Sequence, residues 1–437
     1  MLGVFSGPHF WLNFLIVLIF NIIIMLDMKD KRKYALSPTF ITILYLYVTF
    51  FLGELLFYNE IYRLFRLQNE YYESWKTLPQ NVTFYNLCSL ILVISYLQAK
   101  PNRKLSYLKV KSYVKPGRKE SRFSWKYIIL GLVLLAVVVK IPVSALAFAV
   151  PFFSVGLVYV ASKNNTNLRY VAYVLIIVTM MALNPNDKRE TIFLFYPILF
   201  LELLRIKKIT FKQVIIVLSG GVLVFLAVVI MSLIRADVSS TIFIPKDVIV
   251  QYITSDAALA IIADNFEINW CYIDAFQSME FINSDSSLIS WGSSFLKPLF
   301  WPISRDIWPN KPESTMLLFT TIFDKTAKEE GMSLPLPLVS DMYWNFKYFS
   351  VVFVYLIQYW LNSMYKSTVR FFKRNKDKNL LSTREFVGVY FLFIFLFLMR
   401  GCGIDMFLAY LIVFHVLLFL LNSILSVRGT IIKRASR

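Results

Sequence analysis

The chain has 437 residues, 57% hydrophobic and 17% charged, with a mean hydropathy of +0.60 and a formal net charge of +19. An ordinary soluble domain is about 45–50% apolar and about 25% charged, so this composition excludes a water-soluble globule, a disordered chain, a collagen and a disulfide scaffold. Two histidines, His9 and His415, and three cysteines without ligand spacing, Cys88, Cys271 and Cys402, exclude a His-based metal site.

Apolar runs of near-membrane length, separated by basic clusters, predict an all-α polytopic integral membrane protein. Eleven spans are expected, within a range of 10–12: 10–27, 36–57, 81–98, 127–140, 143–161, 169–184, 191–205, 213–234, 343–363, 385–400 and 405–426. The first run lacks a basic leader and a small-residue cleavage site, and it reads as a retained span. The stretch 127–161 is broken by Lys140, Pro142 and Pro151, and parity favours two short spans meeting near Lys140 at the outer surface.

Segments 28–35, 99–126, 162–169, 205–212, 364–385 and 427–437 hold 31 of the 46 Lys and Arg residues. The positive-inside bias makes these cytoplasmic, with the N-terminus outside and the C-terminus inside. That asymmetry explains the basic charge without a nucleic-acid partner.

Three regions follow: eight spans in 1–234, one large, partly helical outer loop over 235–342, and three spans in 343–437. The loop contains amphipathic stretches at 246–264 and 269–282. Its tract FWPISRDIWPNKPES (300–314) cannot be a regular helix, because Pro302, Pro309 and Pro312 fix φ and remove donors. Phe300, Trp301 and Trp308 favour a position at the membrane interface. There is no glycine-rich phosphate loop, so a nucleotide-driven reaction has no support and no cofactor is expected.

Charges near membrane depth default to function. The outer cations are Lys140, Arg189, Arg235, Arg305, Lys311 and Arg400. Four or five of them converging on one outer rim would form a receptor for a phosphorylated lipid headgroup, since guanidinium forks donate bidentately to phosphate. For any one of them the alternative is a snorkelling residue that anchors its helix, Lys140 above all. Among the outer carboxylates Asp341 stands out, because YWNF and a span follow it directly. It is the candidate to orient or deprotonate an acceptor hydroxyl. Asp306 and Glu313 flank Arg305 and Lys311 and can serve as their ion-pair partners.

Pro302, Arg305, Trp308, Pro309, Lys311 and Pro312, followed by Asp341, Tyr343, Asn345 and Phe346, resemble the motifs of the Wzy-type O-antigen and capsular oligosaccharide repeat-unit polymerases. Arg189, Arg235 and Arg400 are also similar in placement. The chain departs from the pattern in carrying Asp341 for Glu, Lys347 for the glycine after Asn-Phe, and Ser350 for a later glycine.

The resemblance implies a GT-C-like helical fold in the bacterial inner membrane. It implies transfer of a polyprenyl-diphosphate-linked glycan to a second lipid-linked repeat unit on the periplasmic side. Arg189, Arg235, Arg305 and Arg400 would hold the diphosphates, with Lys311 and Lys140 assisting. Trp301, Trp308 and Tyr343 would stack on sugars, and Asn345 would contact substrate. A chain-length-regulating membrane protein is an expected partner. The competing readings are a flippase of lipid-linked oligosaccharide and an O-antigen ligase. A flippase would line its spans with charges, and the expected spans carry almost none. A ligase usually carries a histidine in the outer loop, which this chain lacks.

Overall fold

A computed structural model describes residues 19–28, 31–58, 79–101, 268–300, 306–329, 331–374 and 394–412, with scattered positions between 170 and 219 and at Ile303, Phe391 and His415. The described residues are mostly helical and include no strand. The expected spans at 127–140 and 143–161 lie outside them, as does the stretch 246–264.

The chain divides into two compact units, one of 1–100, 228–363 and 397–408, the other of 101–227, 364–396 and 409–437. In the first unit α1 (Pro38–Tyr58) and α2 (Pro79–Gln98) both begin on proline. Proline suits a first helical position because its missing N–H has no intrahelical acceptor there. Ser37 caps α1 by accepting the Phe40 N–H at 3.2 Å. Both helices begin and end close to the spans expected at 36–57 and 81–98. Within α2, Asn81–Gln98 is long and apolar enough to cross a membrane, with mean hydropathy 1.2; among the described residues no other helix meets that length and hydropathy.

Helix α3 (Ile268–Ser284) contacts α1, α2 and the later helix α5 (Leu338–Phe346). Its Cys271, Ala275, Met279 and Ile282 recur at helical spacing and are all fully buried. Phe276 joins Phe50 of α1 and Tyr85 of α2 in an aromatic cluster, with ring centroids 5.1 to 5.6 Å apart. The three cysteines are buried, and none is in a disulfide.

Between α5 and α6 (Ser350–Arg374) a short 3-10 turn, Lys347–Phe349, breaks the helix. The stretch 343–363, expected as one continuous span, thus holds the end of α5, the 3-10 turn just after its first helical turn, and the start of α6.

The interior of this unit is polar where α1, α2 and α6 meet. Asn362 donates to Thr39 Oγ1 at 2.8 Å and to Ser95 Oγ at 3.0 Å, and Gln358 donates to Thr39 at 3.0 Å. All four side chains are fully buried. The outward faces are apolar: Leu44 and Val48 of α1, Leu87 and Ile94 of α2, and Val352 and Leu356 of α6 are all exposed.

In the second unit Tyr196 packs edge-on against Phe395 at 5.4 Å, and Phe200 against Tyr365 at 5.7 Å. Tyr170 and Tyr173 both donate to Glu202, at 3.4 and 3.5 Å.

Candidate functional site

The site region begins where the proline-rich tract ends. Ser314 accepts the Leu317 N–H at 3.3 Å and so starts α4 (Thr315–Phe323). Pro337 likewise precedes α5, whose residues Leu338 through Asn345 are all buried. A third segment, 397–408, carries the break Gly401-Cys402-Gly403 between two helical stretches. Cys402 forms an isolated parallel bridge with Leu336, in which Leu336 N donates to Gly401 O at 3.2 Å. Gly401 has φ +101°, and a Cβ there would lie 2.5 Å from the Leu336 carbonyl carbon, so only glycine fits.

Asp341 ties these three segments together. Its side chain is fully buried. Oδ2 accepts the Ile404 backbone N–H at 2.7 Å. Oδ1 accepts from Thr315 Oγ1 and from Asn345 Nδ2, the latter at 3.2 Å. Burial, reinforced by the nearby Asp405 charge, raises its pKa to about 7 against the pull of those donors. Asp405 is also buried and takes the Lys297 ammonium at 2.8 Å. Beside them, burial pushes the Cys402 thiol well above its ordinary value.

Two residues expected to contact substrate, Asn345 and Tyr343, are buried within the fold. Asn345 is fully buried, donates to the Asp341 carbonyl at 2.9 Å and accepts from Ser294 Oγ at 2.8 Å. Tyr343 is 1% exposed, packs edge-on against Phe84 and Tyr348, and donates to Asn283 at 2.7 Å. Asn345 braces Asp341 directly, while Tyr343 is held by Asn283 and the rings of Phe84 and Tyr348. Residue type and position announced them, but burial is a property of the fold.

Lys311 is buried with its ammonium on the Ile303 carbonyl at 2.9 Å, so it braces the proline-rich tract from within. Trp308 is partly exposed and packs edge-on against Phe300 at 5.0 Å. Arg400 is half-buried, and its carbonyl accepts from Cys271 Sγ at 3.5 Å. Arg189, Arg235, Arg305, Lys140 and Trp301 lie outside the described residues. Of the expected site, the fold thus brings Asp341, Asn345 and the segment following Arg400 to one knot. It adds Lys297 and Asp405, which sequence reasoning missed. Among the described residues no cluster of three or more His, Cys, Asp or Glu is arranged to hold a metal.

Lys347, standing where the resembled motif has glycine, has φ +48° and ψ −126°. That positive-φ backbone lies outside the left-handed helical region, in space used almost only by glycine, and costs on the order of 1–3 kcal/mol for a residue with a Cβ. Its ammonium donates to Ser286 Oγ at 3.1 Å. Lys347→Gly is expected to be about 1 kcal/mol more stable than Lys347→Ala, since both lose the ammonium but only glycine escapes the strain. Equal unfolding midpoints for the two variants would mean the turn is not strained.

No protein-family model, curated protein or solved structure matches the chain.

Proposed function

We propose that the protein is a polytopic inner-membrane glycan polymerase of the Wzy type, with about eleven spans, a periplasmic N-terminus and a cytoplasmic C-terminus. It transfers a polyprenyl-diphosphate-linked glycan onto a second lipid-linked repeat unit at the outer face and releases polyprenyl diphosphate. Neither nucleotide nor metal takes part in this scheme. Arg189, Arg235, Arg305 and Arg400 hold the diphosphates and stabilise the leaving one as its negative charge develops. Asp341 acts by orienting the site, because both its oxygens are occupied by hydrogen bonds within the fold.

The observation that carries this reading is the Asp341 knot. It draws together the helix after the proline-rich tract, the Asp-Tyr-Asn-Phe helix and the segment after Arg400, which are the separated parts of the resembled motif. The positive φ at Lys347, a backbone that favours glycine, supports it further, since the motif carries glycine there. Membrane residence is supported by helices that are polar inside and apolar outside. Lipid tails stabilise outward Leu, Val and Ile, while buried Asn, Gln, Ser and Thr link helices by hydrogen bonds.

The test is the lipopolysaccharide or capsule ladder of a deletion strain, with and without plasmid rescue. A single repeat unit on the core, restored to a ladder by the plasmid, is the expected result. Loss of all repeat-bearing lipid A, with lipid-linked units left unligated, would replace this reading with a flippase or a ligase.

A further inference from the structure

We infer that Lys297, fixed in place by Asp405, is a contact for the phosphate of a long-chain lipid phosphate ester. The inference rests on the polymerase reading for its ligand and adds a cation to that site.

Lys297 opens the 3-10 turn Lys297–Phe300, directly before the proline-rich tract. Its ammonium lies 2.8 Å from Asp405 Oδ2, while its side chain keeps 24% exposure against 1% for Asp405. The partners are 108 residues apart in sequence. A buried carboxylate therefore holds the head of a flexible, partly exposed side chain. The ammonium carries three N–H donors, and Asp405 takes one of them. Asp405 Oδ1 has no donor among the described residues, so within them Lys297 is its hydrogen-bonded counter-ion. Lysine usually loses much rotamer freedom on gripping an anion, and here the ion pair has already removed it.

The neighbouring stretch of chain is apolar and exposed. Leu296, Leu299, Ile307 and Trp291 are exposed in the same stretch of chain, with Trp308 open at its edge. Exposed apolar side chains close in sequence to a fixed ammonium complement a molecule with a phosphate head and a hydrocarbon tail. A sugar or a free ion satisfies only one of those two features.

The experiment uses the full-length protein in detergent or nanodiscs, with geranylgeranyl diphosphate, inorganic diphosphate and geranylgeraniol as probes in titration calorimetry. Lys297→Ala is expected to weaken geranylgeranyl diphosphate binding about 10- to 100-fold, the size of one charge-assisted hydrogen bond, while Lys297→Arg stays close to wild type. Geranylgeraniol binding should be unaffected. Asp405→Asn alone strands the ammonium and is expected to lower the unfolding midpoint. The double variant K297M/D405N should recover the midpoint yet not the diphosphate binding, which a purely structural ion pair would not produce. Unchanged binding by Lys297→Ala, with wild type binding normally, overturns this inference and leaves the polymerase reading standing. Wild-type protein that binds inorganic diphosphate as tightly as the lipid form keeps the anion contact but removes the lipid from it. Wild-type protein that binds neither overturns the contact and the diphosphate-clamp reading together.

Discussion

Asp341→Asn is expected to flatten the pH dependence of stability between about pH 4 and 7 while preserving polymer formation. In the folded protein Asp341 keeps its proton up to about pH 7, whereas an unfolded carboxyl loses it near pH 4. Across that window the folded state binds the extra proton, so wild-type stability falls as pH rises and levels off above about 7. Holding one proton across that window corresponds to a change on the order of 4 kcal/mol. Asparagine has nearly the same shape and can still accept the Ile404 N–H through its oxygen, without a charge to desolvate. Asp341→Ala instead leaves that buried N–H without its acceptor, costing about 1–3 kcal/mol more than Asn. Denaturant or thermal unfolding of purified protein at pH 5, 6, 7 and 8 reads all three. Stably expressed Asp341→Asn protein that makes no polymer would reassign Asp341 from orienting the site to removing a proton.

Arg305→Ala and Arg235→Ala should each reduce the long polymer ladder to single repeats at unchanged protein level. A preorganised donor aimed at developing negative charge is worth about 100- to 1000-fold in rate, and a processive ladder magnifies any loss per step. Arg305→Lys should recover part of the chain length, since it keeps the charge but loses the planar fork. The measurement is the ladder on a gel beside an immunoblot of the membrane fraction. Normal ladders in both alanine variants would sink the assignment of these residues to the diphosphates.

What the sequence made legible follows from how local each signal is. Helices α1 and α2 were readable to within about two residues of the expected spans, because a proline starts each one and an apolar run continues it. The break at Lys347 was not readable. Neither glycine nor proline marks it, and hydropathy averaged over a span passes straight across three residues. Asp341 was legible from its place ahead of an apolar run. Its burial, and that of Tyr343 and Asn345, is decided by α3, α4 and the 397–408 segment folding over it. The Lys297–Asp405 pair had no local signature, since two charges that distant in sequence meet only in the folded chain.

The three sequestered thiols have a practical use. Thiolate, the reactive form, is scarce when a cysteine is desolvated, and Cys88, Cys271 and Cys402 are all enclosed by the protein. Wild-type protein therefore offers a quiet background for maleimide chemistry. Single cysteines introduced at exposed positions such as Ser333 and Lys373 can be probed with an impermeant reagent, without first stripping native residues. Labelling of Ser333→Cys in intact spheroplasts, with Lys373→Cys protected until lysis, would read the sidedness of the two ends of this region directly.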